Sequence, residues 1–227
     1  MAVASGLVPD ESSLEMKSKF LKSKWIFYVV FLLGVALLVF IFSIRQKGLR
    51  VRDVIDGDTI ILSNGETVRY IGIDAPEMFQ PFFQEAKDTN EMMVDRKIIR
   101  LKLEYEKGDT RNYTGGRLLA YVYVGDLFVN AELIKKGLAR LYPFRSHPRH
   151  IDYFCSLQKQ ARKEKKGIWS IPMLIKEEYY LGNKRSFRFH CPSCKYALQM
   201  AERNKIVFKT RKEALDSCYS PCRFCEP

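Results

Sequence analysis

The sequence predicts an α+β chain: a small β-barrel with helices, one apolar helix before it and a cysteine-rich module after it. Three observations carry that prediction. Segments rich in Val, Ile and Leu alternate with helix-like stretches between residues 51 and 170. Residues 25–44 contain no charged side chain, and five of the six cysteines fall within the last 37 residues. At 227 residues there is room for one or two domains, and a core of about 120 residues buries enough apolar surface to fold alone.

Taken in order, residues 1–24 read as an N-terminal tail, followed by WIFYVVFLLGVALLVFIFSI at 25–44. Twenty such residues at helical rise span a bilayer core, and Trp25 and Tyr28 suit its interface. A cleaved secretion signal is the rival, but no small-x-small site follows before Arg45, so an uncleaved single-pass anchor is expected. Orientation is not set by charge. Lys17, Lys19, Lys22 and Lys24 on one side balance Arg45, Lys47, Arg50 and Arg52 on the other.

Residues 51–74, 98–106 and 117–124 read as strands, the last turning at Gly125-Asp126. Residues 82–96 and 150–166 read as helices, with a stop at Gly167, and Asn130 is placed to cap a short helix ending at Gly137. About five strands with intervening helices fit a Greek-key barrel of OB type over residues 51–170. Residues 171–186 read as a linker and 187–227 as a separate small module. Trp169 and Cys155 are expected to be core residues. Tyr142 and Phe144, beside Arg140 and Arg145, are either base-stacking or core and loop residues.

The net charge of +12 divides as +5 over 1–52, +2 over 53–170 and +5 over 171–227. The barrel segment is nearly balanced although Lys159, Arg162, Lys163, Lys165 and Lys166 crowd one helical stretch. That run is a solvated helix face or a nonspecific phosphate track.

The densest chemistry is in VIDGDTIILSNGETVRYIGIDAPE, residues 54–77. On an extended strand Asp56 and Asp58 share a face, with Gly57 leaving room between them. Asp74 and Glu77 bracket Pro76, whose fixed φ holds a tight exit from the second strand. Several oxygen donors on one surface suit a hard cation, most naturally Ca2+, and Arg69 suits a phosphate through its planar fork. Together they point to phosphodiester hydrolysis. The bland alternative is a hairpin with solvated edge charges. Strict alternation places Arg69 and Asp74 on opposite faces, so a bulge at Gly72 is expected to turn Asp74 inward.

The strings DGDT, VRYIGIDAPE, GGRLLAYVY and KKGIWS, spread over roughly residues 51–170, resemble the staphylococcal nuclease family. The resemblance implies an OB-type barrel and a Ca2+-dependent endonuclease acting on DNA and RNA, with single strands preferred. It implies cleavage of the bond from phosphorus to the 5′-oxygen, leaving 3′-phosphates. Asp56 and Asp74 would bind Ca2+ with the carbonyl of Ala75, and Asp58 directly or through water. Glu77 would orient or deprotonate the attacking water, and Arg69 and Arg117 would hold the phosphate. Ala75 replaces a threonine of the best-known member, which a carbonyl ligand tolerates. A base-contacting tyrosine of the family is absent, with Thr114, Gly115 and Gly116 in its place. Millimolar Ca2+ and protection of the cell's own nucleic acid favour an extracytoplasmic catalytic domain. The alternative is a catalytically idle OB-type module that only binds nucleic acid or protein; retention of Asp56, Asp58, Asp74, Glu77, Arg69 and Arg117 favours the enzyme.

At the C-terminus, Cys191-x2-Cys194 and Cys222-x2-Cys225 carry the spacing of a tetrahedral zinc site, with disulfides as the competing reading. Residues 189–227 resemble the zinc-binding module of Ada-type DNA repair proteins, through their EAL…Y-x-P-C-x-x-C-x-P tail. The resemblance implies that His190, Cys194, Cys222 and Cys225 bind Zn2+, with Cys191 as an alternative to His190, and that Cys218 is no ligand. Histidine at 190 stands where the methyl-accepting member has cysteine. An imidazole cannot serve as a thiolate acceptor, which leaves a structural or nucleic-acid-docking role.

Overall fold

The computed structural model describes residues 28, 30–37, 48–106, 108–143, 149–172 and 176–227. The chain divides into two compact units, 1–47 and 48–227. In the first, residues 30–37 are helical, and most of the expected anchor 25–44 lies outside the described residues. Among the described residues no helix is long and apolar enough to cross a membrane.

The second unit is built on a closed barrel. Its strands are β1 (Leu49–Asp56), β2 (Thr59–Leu62), β3 (Thr67–Tyr70), β5 (Ile98–Lys102) and β7 (Arg117–Val124). Four antiparallel pairings run β3-β2-β1-β5-β7, and a parallel pairing of β3 with β7 closes the ring. This is the connectivity of an OB-type barrel. Alternation explains Ile60 with Leu62 and Val68 with Tyr70, all buried, while Val51 and Val54, three apart, both face inward because the register of β1 shifts between them. Helix α1 (Phe83–Val94) covers β1, while α2 (Val129–Lys135) and α3 (Ile151–Lys163) pack on each other beyond β7. Short strands β4 (Ile73–Asp74) and β9 (Arg140–Leu141) pair beside the barrel, and β6 (Tyr113–Thr114) and β8 (Leu127–Phe128) pair with β7.

Several expectations change. Asp56 and Asp58 do not share a strand, because the chain turns at Gly57-Asp58 and pairs Asp56 with Thr59. No bulge forms at Gly72. Strand β3 ends at Tyr70, and Gly72 (φ +79) reverses the chain into β4 of a different sheet. The register irregularities fall instead in β1. Asn130 does not cap a helix: α2 starts at Val129, and buried Asn130 accepts from the Val122 amide at 2.9 Å and donates to the Ile71 carbonyl at 2.9 Å. It joins β7 to the turn leading into β4.

The segment expected to be a linker contains β10 (Tyr180–Asn183), which lies inside a second sheet ordered β12-β10-β11-β13. The other members are β11 (Arg188–His190), β12 (Lys205–Phe208) and β13 (Ser220–Pro221), with short helices α4 (Lys195–Leu198) and α5 (Arg211–Asp216). Its core is small: Tyr180, Phe189, Phe208, Ala214, Leu215 and Tyr219, with Trp169 packed against them as expected of a core aromatic. Cys155 is not a lone buried thiol. It forms a disulfide with Cys218, tying α3 of the barrel to the C-terminal sheet, and Arg162 pairs with Asp216 across the same seam.

Candidate active site and Cys/His cluster

Most of the functional side chains sit at or beside a strand end, and Glu77 lies in the loop after β4. Asp56 closes β1; its carboxylate accepts the Asp58 amide at 2.8 Å, and its carbonyl accepts from Asn90 of α1 at 3.0 Å. A Cβ at Gly57 would lie 2.6 Å from Ala75 Cβ and 2.8 Å from Ala86 Cβ, so only glycine lets this turn approach both. Asp58 is buried. It accepts from the Thr59 hydroxyl at 3.1 Å and the Ala75 amide at 2.6 Å, and it forms an ion pair with Arg69. Burial pushes its carboxyl up to about 7, against the lowering effect of Arg69.

Arg69 of β3 reaches Asp74 at 3.0 Å, so the turn at Gly72 has brought these two residues face to face. A Cβ at Gly72 would meet the Phe154 ring at 2.8 Å, a second reason for glycine there. Glu77, beyond Pro76, is exposed, and its amide donates to the Gln80 side chain at 2.9 Å. Arg117 opens β7 and makes no ion pair among the described residues.

A cavity of about 210 Å³ brings together Arg69, Glu77 and Arg117, along with Tyr142 and Arg223. The three expected catalytic residues therefore face one space. Arg223 is the residue that sequence reading missed. It bonds Asp74 through Nε at 3.1 Å and through Nη2, which also lies 3.3 Å from Glu77. Its only sequence signal is a basic residue inside the Cys222-x2-Cys225 loop, which says nothing about a contact 149 residues away. Tyr142 lies beneath two guanidinium groups, Arg188 at 4.5 Å and Arg223 at 5.5 Å. Phe144 and Arg145 lie outside the described residues.

Asp56, Asp58, Asp74 and the Ala75 carbonyl are hard oxygen donors of the kind calcium takes, but among the described residues these carboxylates do not form a group close enough to share an ion. Arginines hold two of these carboxylates, Arg69 at Asp58 and Arg69 with Arg223 at Asp74.

The C-terminal donors do converge. Ligand atoms of His190, Cys194, Cys222 and Cys225 all lie within 4.8 Å of one another. Cys191 stands off this group, with its Sγ directed to the Cys225 carbonyl at 3.7 Å. Burial raises the Cys225 thiol and lowers the His190 imidazole. Three thiols and an imidazole in a mostly buried cluster are the donor set of a tetrahedral zinc site.

A family model described as staphylococcal nuclease homologue matches residues 67–171. The chain is 41% identical over 126 residues to the SPbeta prophage-derived endonuclease YokF of Bacillus subtilis (strain 168), which covers 51% of this chain and 42% of that protein. Endonuclease YncB of the same organism matches at 41% over 126 residues, with 51% and 58% covered. Thermonuclease of Staphylococcus hyicus is 40% identical over 136 residues, covering 56% of this chain and 78% of that protein. The chain belongs to the staphylococcal nuclease family. It spans about half the length of the two Bacillus relatives.

Proposed function

We propose that this protein is a membrane-anchored, Ca2+-dependent endonuclease that hydrolyses phosphodiester bonds of DNA and RNA and leaves 3′-phosphates. The observation that carries this reading is the single cavity lined by Arg69, Glu77 and Arg117. Relatives named endonuclease and thermonuclease support it.

In this reading Arg69 and Arg117 bind the non-bridging oxygens of the scissile phosphate and stabilise the charge that builds there. Glu77 takes the proton of a water attacking phosphorus in line, the bond to the 5′-oxygen breaks, and the leaving oxygen gains a proton from solvent. Asp56, Asp74 and the Ala75 carbonyl would hold calcium, with Asp58 beside them. The ion, when bound, supplies Lewis-acid polarisation and a template for the phosphate. Asp58 also fixes Arg69 and the Ala75 amide.

The C-terminal segment is read as an Ada-like module closed by zinc on His190, Cys194, Cys222 and Cys225. Residues 25–44 anchor the chain with the catalytic part on the extracytoplasmic side. The Cys155–Cys218 disulfide supports that side, because such bonds persist in oxidising compartments.

The test is cleavage of single-stranded DNA and of RNA by the full chain in detergent, with Ca2+, with Mg2+, or with a calcium-selective chelator. Cleavage with Ca2+ exceeding that with Mg2+, and 3′-phosphate ends on the products, are expected. No cleavage in any condition removes the nuclease reading and leaves a binding module.

A further inference from the structure

Arg223 connects three hollows. It lines the cavity that holds Arg69 and Arg117, and a second of about 200 Å³ beside Asp74 and Arg140. It also lines a third, of about 720 Å³, which lies on the C-terminal sheet. Four arginines line that third hollow, Arg185, Arg188, Arg203 and Arg223, and no Asp or Glu does. Arg185, Arg188 and Arg203 have no ion-pair partner among the described residues. Such a concentration of unpaired guanidinium groups favours a polyanion. Tyr196 and Phe224 line it as well, 49% and 59% exposed, with ring centroids 5.6 Å apart. Exposed rings beside unpaired cations are how unpaired bases are held next to their phosphates.

We propose that the C-terminal module is the second half of the substrate site. A single strand of nucleic acid with its scissile phosphate at Arg69 and Arg117 continues past Arg223 into the groove. Its phosphates lie against Arg185, Arg188 and Arg203, and its bases lie against Tyr196 and Phe224. Arg223 is the junction. The loop between Cys222 and Cys225 fixes its backbone, so the Cys/His cluster positions a cation of the nuclease cavity. Arg188 and Arg223 both lie against the Tyr142 ring, which places two cations where the two hollows meet. This inference rests on the reading of Arg69 and Arg117 as phosphate ligands.

The test measures binding by fluorescence anisotropy in the full chain carrying Glu77→Gln, with labelled oligothymidylates of about 4 and about 16 nucleotides. The longer strand is expected to bind at least about tenfold more tightly. Arg185→Ala/Arg203→Ala, both exposed positions that keep the fold, should remove most of that advantage. It should also reduce the slope of log affinity against log salt by about 1.4, at about 0.7 per phosphate contact, while leaving the 4-mer unaffected. Arg223→Ala should weaken both strands. Tyr196→Ala/Phe224→Ala should weaken the 16-mer without changing the salt slope. Equal affinity for the two lengths, or an Arg185→Ala/Arg203→Ala variant that binds the 16-mer normally, overturns the proposal. A 16-base-pair duplex bound as tightly as the strand overturns the single-stranded assignment. Failure of the nuclease reading looks different: the chain with Glu77 intact cleaves neither oligonucleotide, while the length dependence and its loss in the variants persist.

Discussion

Asp58 and Cys222 are about equally buried, at 3% and 4% exposure, yet their surroundings differ in kind. Asp58 meets a guanidinium, an amide and a hydroxyl, all delivered by strands whose positions are set by a continuous apolar core from Val51 to Cys155. Cys222 meets three other side chains able to bind a metal, and the apolar cluster of the sheet behind it has six buried members. In the barrel the fold holds the functional groups. In the proposed reading the relation reverses in the C-terminal module: zinc on the Cys/His cluster holds the fold, because so small a core does not offset the chain entropy of ordering about 48 residues.

The sharpest way to break that contrast is to disrupt the Cys/His cluster proposed to hold zinc. Cys222→Ser, or zinc chelation, should unfold the module, since structural zinc contributes on the order of 10 kcal/mol to such domains. Hydrogen exchange should then rise across Tyr180–Asn183 and Lys205–Phe208 while β1, β2 and β7 stay protected. Loss of protection in the barrel as well would mean that the two regions fold as one. His190→Ala should weaken zinc by orders of magnitude and Cys191→Ser only slightly. The reverse order would exchange the fourth ligand.

Glu77→Gln probes the other side of the comparison. Glu77 is exposed, and its role is chemical. Turnover should fall by about 10²–10⁴-fold with the melting temperature unchanged and oligonucleotide binding retained. A loss of binding equal to the loss of turnover would make Glu77 a ligand or a structural residue.

The seam between the regions comes next. Cys155→Ser/Cys218→Ser removes a crosslink closing 63 residues, and should cost about 2–4 kcal/mol in urea unfolding. Because the same seam places Arg223, affinity for a single strand should fall with it. Unchanged stability and affinity would show that the Arg162–Asp216 pair and apolar packing hold the seam alone.

The smallest effect is a dependence on pH in calcium-free protein. Burial holds Asp58 near 7, above the ordinary carboxylate value of 3.8, so the folded chain keeps a proton that the unfolded chain releases. Its contribution is full below about 3.8 and is lost as pH rises through about 7. Urea midpoints measured between about pH 5 and 8 should therefore decline, and Asp58→Asn should flatten the decline. A decline over this range no steeper in the unaltered chain than in Asp58→Asn would show that Arg69 outweighs burial.

Much of this was legible in the chain itself. Alternating apolar residues marked β7 to its ends and the start of β5, and placed β1 to β4 within one stretch without dividing them, and the helix periods marked α1 and α3 within a few residues. Asp56, Asp58, Asp74 and Glu77 announced a site because they crowd one short segment beside Arg69. The short spacings of His190 and Cys194, and of Cys222 and Cys225, announced a cluster for the same reason: two donors on one tight loop are already close. Residues near in sequence have few relative placements open to them, so spacing alone narrows the geometry.

Tertiary structure decided the rest. Whether Gly72 makes a bulge or a reversal depends on Phe154 filling the place of a Cβ, 82 residues further along. Asn130 has the side chain of a helix cap, yet two buried backbone groups, one on β7 and one in the turn before β4, claim it. Cys155 pairs with Cys218, and Arg223 with Asp74 and Glu77, only because α3 and the C-terminal sheet pack against the barrel. Each of these partners is chosen by which surfaces exclude water together, and that choice is made by the whole fold, beyond the reach of any local pattern.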